Sequence, residues 1–361
     1  MSKYVVSVVK CASYKNKEIR KSLEGSLENI GFTFKPKMKV LIKPNLFCPA
    51  TPDKAVTTHP VVLEELCKIL KKNGAKIFIG ENSSYNTELC LKVCGVKYLS
   101  KYAKILNFEH EKKKIFMLDK ETRTLIPEIM SDVDLVINVS KMKTHGLTGV
   151  TLCVKNLYGC IPEKMRMNYH KVFLYSKDFS RMLFKLHEKI KPGLNIIDGV
   201  EGIEGNGPGL TGKKIKSGML IASRSAFAAD VVASDKMGFD YKKIYTNVFS
   251  GVRMEDIDVL GDGKEIKLNF EKPFASFLSI FIPFFKSSKP SIKFNHELCK
   301  RCHLCENKCP MKAIKLSPFP ESDRNKCINC LCCIEVCPNK AIYLQDSFIM
   351  MIVNKILHKI R

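Results

Sequence analysis

The sequence predicts an α/β fold class, a mainly parallel sheet domain followed by a small α+β domain, on three observations. Across residues 1–270, short apolar strand patterns alternate with helix patterns, as in strands joined by helical crossovers. Unusual polar groups directly follow several of these strands, where an open parallel sheet carries its ligands. Residues 291–346 are cysteine-rich and repeat with a 28-residue period, which marks a duplicated unit.

The expected strands are Tyr4–Val9, Lys39–Ile42, Lys76–Gly80, Asp134–Val139, Leu194–Asp198 and Met219–Ala222. Helical patterns at Glu18–Ile30, Val61–Lys72, Phe179–Lys191 and Ala226–Met237 fall between or after them. Residues 271–290 form an apolar connector whose run from Phe274 to Phe285 is too apolar for a free linker. It is expected to pack under the neighbouring module, with a membrane-surface contact as the alternative. Residues 347–361 form an amphipathic, basic tail helix, with Ile349, Ile352, Val353, Ile356, Leu357 and Ile360 on one face. Such a helix docks on protein or lies on an anionic membrane surface.

Sixteen cysteines stand out in 361 residues. A disulfide framework would imply export, but the first residues run into a strand pattern and not into a signal peptide. The expectation is therefore a cytoplasmic protein with reduced or metal-bound thiols. No stretch reaches the ~18 apolar residues of a spanning helix. The formal net charge is +24, and two [4Fe–4S] centres with their thiolates would lower it to about +20. The excess thickens between Lys141 and Lys191, where eleven Lys or Arg face three acids. Such a surface attracts anions, or it keeps a Lys-rich chain solvated. Nothing beyond charge argues for nucleic acid: the chain shows no recognised binding fold and no aromatic–basic interleaving.

Two cysteine runs carry the most specific chemistry. Cys299, Cys302, Cys305 and Cys309 with Pro310, and Cys327, Cys330, Cys333 and Cys337 with Pro338, both fit C-x2-C-x2-C-x3-C-P. Two-residue gaps let three thiolates on one loop converge on a cubane, and the fourth cysteine ligates the other centre in two-cluster arrangements. Cys299, Cys302, Cys305 and Cys337 should hold one cluster, and Cys309, Cys327, Cys330 and Cys333 the second. Cys332 falls out of register and is read as a non-ligand. A single CxxC would leave zinc open, whereas two matched runs ending in Cys-Pro favour [4Fe–4S]. Residues 291–346 resemble the bacterial-type two-cluster ferredoxins, which implies low-potential one-electron transfer. The seven cysteines outside this module form no metal pattern and are expected in the core.

The candidate site in the α/β domain rests on placement. Lys43 and Asn45 follow the second strand, and Glu81 to Ser84 the third. Lys141, Lys143 and His145 follow the Asp134–Val139 strand, and Asp198 to Gly209 the next. Thr58 and His59 precede Pro60 at a helix start, where free N–H groups can meet an anion or Thr58 can simply cap. Lys155 and Asn156 fall in an expected helix from Val150 to Tyr158. Lys43, Asn45, Thr58, His59, Lys141, Lys143, Lys155 and Asn156 are thus substrate-binding candidates. His145 is a proton-transfer candidate near neutral pH, and Asp198 and Glu204 could bind metal or act as acid and base. The plainer readings are a solvated basic loop at 140–146 and unrelated carboxylates. Glu204 to Gly209 lacks the lysine–serine ending of a phosphate loop and the spacing of a dinucleotide loop.

Lys43 to Leu46, Thr57 to Pro60, Asn138 to His145, Val154 to Gly159, Ile197 to Gly199 with Glu204 to Pro208, and Ala228 to Asp230 together resemble the domain-of-unknown-function 362 family. Ser140 stands where the family pattern has Pro, and Glu81 where it has Asp. Many members of that family carry a two-cluster ferredoxin module, as here. The resemblance implies architecture more than chemistry. Two functions follow as expectations. One is an iron–sulfur oxidoreductase passing electrons to or from an anionic small molecule in the α/β crevice. The other is a non-catalytic electron carrier whose α/β domain docks a redox partner protein.

Overall fold

A computed structural model describes residues 4–273 and 290–345. The connector run Phe274–Phe285 and the tail 347–361 lie outside the described residues. In the first domain the strands are β1 (Tyr4–Lys10), β2 (Lys39–Lys43), β3 (Lys76–Glu81) and β4 (Lys104–Asn107), then a separate hairpin of β5 (Lys113–Met117) and β6 (Arg123–Pro127). There follow β7 (Leu135–His145), β8 (Gly149–Thr151), β9 (Leu194–Glu204), β10 (Lys213–Ser223) and β11 (Ile257–Leu260). All but the hairpin form a nine-stranded sheet of order β11-β1-β10-β9-β7-β2-β3-β4, with β8 beside β7. The stretch β9-β7-β2-β3-β4 is parallel throughout, and β10 pairs antiparallel with β1 and β9.

Both faces of the sheet are covered, which explains why β2, β7 and β9 begin as near-continuous apolar runs. On one face Val40, Ile42, Ile137, Val139 and Ile196 meet Ile19 and Leu23 of helix Asn16–Asn29 and Leu63, Leu66 and Leu70 of helix Pro60–Lys72. On the other, Leu41, Val136, Met142 and Ile197 meet Phe179, Leu183 and Leu186 of helix Ser176–Ile190 and the alanines of helix Ala226–Lys236. Each such large side chain contributes roughly 1.5–3 kcal/mol of burial. The fold is therefore α/β with a mainly parallel sheet.

Two local expectations change. The residues after Val139 do not form a loop: β7 runs on to His145, and Lys143, Thr144 and His145 pair with Thr151, Val150 and Gly149 of β8. That pairing also removes Val150 and Thr151 from the expected Val150–Tyr158 helix. What remains is a short turn of helix, Cys153–Asn156, and a tighter turn, Leu157–Cys160. Asp230 caps the former, accepting from Cys153 N at 2.8 Å and Val154 N at 3.0 Å.

The second domain is small and α+β. β12 (Ser291–Phe294) pairs with β15 (Ile342–Gln345), and β13 (Ile314–Leu316) with β14 (Pro320–Ser322). Helices Leu304–Asn307 and Cys332–Val336 follow the two cysteine loops. The duplication reaches the backbone. Arg301, His303 and Lys312 have positive φ, as do their 28-residue counterparts Asn329, Leu331 and Lys340. The left-handed turns between cysteines wind each loop tightly enough to aim its thiols inward.

Candidate functional site

The eight cysteines sort into two cavities in the crossed pattern. Cys299, Cys302, Cys305 and Cys337 line one. Cys309, Cys327, Cys330 and Cys333 line the other. The surroundings suit thiolate clusters. Backbone N–H groups of Arg301, Ala313 and Ala341 donate to the sulfurs of Cys299, Cys309 and Cys337 at 3.2–3.4 Å, and the remaining walls are mostly apolar. Cys332 lines neither cavity; its thiol points to Cys330 O at 3.9 Å. The seven cysteines of the α/β domain are all buried. Cys302 is exposed, so one cluster site opens to solvent.

A third cavity, open on one side, lies at the carboxyl edge of the sheet under the second domain. It gathers Lys43, Asn45, Lys143, His145, Lys155 and Asn156 from the sequence candidates. Lys43, at the end of β2, is fully buried and donates to Glu81 Oε2 at 2.7 Å and Pro44 O at 2.9 Å. A Cβ on Gly159 would crowd Glu81 Oε1 most closely and lie 2.9 Å from Lys43 Nζ, so a larger residue there would push this ion pair aside. Lys143 Nζ donates to Asn45 Oδ1 and Val56 O, both at 2.9 Å. Asn45 in turn donates to Asn156 Oδ1, and Asn156 to Asn138 Oδ1. This amide ladder fixes the floor. Burial pulls the Lys143 ammonium down to about 7 and that of Lys155 to about 8, because the charged form loses its water.

His145 accepts at Nδ1 from the backbone N–H groups of Leu147 (3.0 Å) and Thr148 (3.3 Å). A neutral ring with that bonding carries its proton on Nε2, which lies 3.5 Å from Glu335 Oε1. Burial first, then Lys155, His170 and Lys143, hold the imidazole well below its usual range. Glu335 belongs to helix Cys332–Val336, between cluster cysteines Cys333 and Cys337, so the cluster module supplies part of the cavity wall. Burial pushes its carboxyl up to about 7, opposed by Lys155 and Lys143. The module is seated by three further contacts: Tyr85 Oη donates to Val336 O at 2.7 Å, Lys308 pairs with Glu163, and Gly209 packs on the Glu335 backbone.

Glu81, Asn82 and Ser84, expected at the crevice from their place after the third strand, also line the cavity, whereas Arg166, His170 and Tyr158 do so without having been sequence candidates. Arg166 and His170 stand four apart on helix Glu163–Val172, a spacing that puts them on one face. That is the signal a sequence reading could have used.

The other candidates lie elsewhere. Lys141 and Asp198, both fully buried, pair at 3.0 Å beside Tyr14, just ahead of helix Asn16–Asn29, and at the start of helix Pro60–Lys72. Asp198 also accepts from Tyr14 Oη at 2.9 Å and His59 N at 3.0 Å. His59 stacks on Tyr14, ring centres 3.6 Å apart, and caps its helix through Nδ1 to Val61 N. Thr58 Oγ1 donates to Val139 O and accepts from Asn45 N, both at 2.8 Å, tying the Thr58–Pro60 turn to the sheet. Half-buried Glu204 accepts from Glu271 N at 2.9 Å, on neither the cavity nor the Asp198 cluster.

Comparison with known proteins bears on both domains. Residues 40–235 match the family described as domain of unknown function 362. Residues 292–315 and 320–343 match the 4Fe–4S binding domain, so the chain holds two [4Fe–4S] clusters and has an iron–sulfur electron-carrier function. The thylakoid-associated protein sll1697 of Synechocystis is 31% identical over 253 residues, covering 67% of this chain and 77% of that protein. The lactate racemase apoprotein of Thermoanaerobacterium thermosaccharolyticum superposes with a TM-score of 0.39 at 15% identity, over 54% of this chain and 50% of that one. No helix of the described residues is long and apolar enough to cross a membrane. With more than half of its length matched, and a relative alike over most of that relative's own sequence, the chain belongs to the domain of unknown function 362 family and joins that domain to a two-cluster iron–sulfur module.

Proposed function

We propose that the protein is an iron–sulfur oxidoreductase that exchanges electrons with a small anionic ligand held between its two domains. One observation carries this reading: Glu335, flanked by cysteines of both clusters, lines the same cavity as Lys143, Lys155 and Arg166. A redox module that walls a cationic pocket is built to act on what the pocket holds. Bound clusters supply one-electron transfer at low potential. Lys143, Lys155 and Arg166 attract and orient the anion, the Asn45–Asn156–Asn138 ladder keeps the floor rigid, and His145 presents its Nε2 proton toward Glu335. The exposed Cys302 edge is where a redox partner protein docks. A cytoplasmic setting keeps the thiols reduced.

The test is anaerobic purification of the intact protein with full clusters, mass spectrometry of co-purifying anions, and cluster absorbance during reoxidation by each candidate. The expected result is a bound anion that reoxidises, or whose reduced form reduces, the clusters, with loss of that effect in Lys155→Gln. Electron exchange with protein partners alone and no bound anion would instead make the α/β domain a docking module for an electron carrier.

A further inference from the structure

Charge in the cavity between the domains does not balance. Lys43 is offset by Glu81. Among the described residues, Lys143, Lys155 and Arg166 have no carboxylate within ion-pair distance. Lys143 rests on two neutral oxygens, and Lys155 lies over the rings of Tyr158 and Phe179 at 5.3 and 5.8 Å. Glu335, which faces His145 Nε2 at 3.5 Å, is the other acid among the lining residues, and burial holds His145 and His170 neutral. At neutral pH Arg166 and Lys155 alone outnumber Glu335, so the lining is net positive.

Arg166 makes the excess specific. It is 8% exposed. Its Nη2 donates to Ser83 O at 2.8 Å and Asn82 Oδ1 at 3.4 Å, and its Nη1 reaches Ser84 Oγ at 3.4 Å. Its Nε is buried with no partner. A buried guanidinium without a counter-charge is costly, and its fork suits the paired oxygens of a carboxylate or phosphate. The other polar walls, Asn45, Asn82, Ser84 and Asn156, offer neutral hydrogen bonds.

We infer that the cavity takes a compact dianion, a dicarboxylate or a phosphate-bearing molecule, with Arg166 as the residue that recognises its oxygens. This rests on the anionic-ligand reading above and narrows it. The test is anaerobic calorimetry at pH 7 on the full-length, cluster-loaded protein with matched probes: malonate against propionate, and methyl phosphate, largely a dianion at that pH, against nitrate. Dianions are expected to bind about tenfold tighter or more than monoanions of like size, equivalent to about 1.4 kcal/mol. Arg166→Gln should bring that ratio to within roughly threefold while cluster absorbance stays intact, since it removes one charge and the fork. Should that variant lose its clusters, Arg166→Lys keeps the charge without the fork, and the wild-type ratio still decides. Preference for malonate alone supports a dicarboxylate, and for methyl phosphate alone a phosphoryl group. Equal binding of mono- and dianions overturns the dianion and leaves the anionic ligand standing. No binding of any probe overturns both.

Discussion

Asp198→Asn is a sharp test of how the α/β domain is held together. The carboxylate is fully buried and accepts from Lys141 Nζ and His59 N on one oxygen and from Tyr14 Oη on the other. The substitution keeps the shape and removes the charge. Lys141 is then a buried ammonium with no anion, left with Tyr14 Oη at 2.6 Å. Burial already pulls the Lys141 ammonium down, and Asp198 is the main opposing influence. Breaking a buried pair from one side costs about 3–5 kcal/mol, and the cost stops growing once the orphaned lysine gives up its proton. For a domain of this size the midpoint of thermal unfolding should fall by on the order of 10 °C. Far-ultraviolet circular dichroism of the cluster-loaded protein reads it. The double variant Lys141→Met with Asp198→Asn should recover most of the loss, because replacing both charges of a buried pair is often near neutral. An Asp198→Asn protein as stable as wild type, or one that Lys141→Met fails to rescue, refutes the pairing and returns Asp198 to the list of catalytic carboxylates.

Three further outcomes follow from the geometry. Cys309→Ser should cost chiefly the cluster bound by Cys327, Cys330 and Cys333, lowering iron by about half with the other centre's electron paramagnetic resonance signal kept; Cys332→Ser should leave iron content unchanged. Lys143 is pulled to about 7 in the fold but titrates near 10.4 when unfolded, so between about pH 7 and 10 the unfolded chain binds the extra proton and stability rises with pH. Thermal scans of ligand-free protein should show that rise weakened in Lys143→Met, and an identical pH profile would contradict the depressed value. In Gly209→Ala a Cβ would meet Glu335 O at 2.7 Å, pushing the module off the cavity; iron content should hold while electron exchange with the bound anion slows, by stopped-flow absorbance.

The strands and long helices were legible because each has a clear apolar period, and the cluster cysteines because their spacing has few other uses. The lysines of β7 were harder. Lys141, Lys143 and His145 alternate with Met142 and Thr144, a strand period that composition alone disguises as a basic loop. Their separation was not legible at all. Lys141 meets Asp198 at the start of a helix, whereas Lys143, two residues on, meets Asn45 in the cavity, and the β7–β9 register shifts between them. Glu335 was hidden for another reason. It sits inside a cysteine motif, and only the docking of one domain on the other gives it a place in the cavity.

Sulfur is a large part of what fills the small domain. Of the nine buried hydrophobic residues among those described there, Cys305, Cys333 and Cys337 are three, so the clusters help fill the space around which the helix Cys332–Val336 is set. That helix is also a wall of the cavity. If the pocket holds the anion proposed above, loss of the clusters to oxygen would thus remove the electron source and the wall together, and the pocket would empty at the moment it could no longer be served. Ligand retention becomes a gauge of cluster assembly, readable without following any reaction.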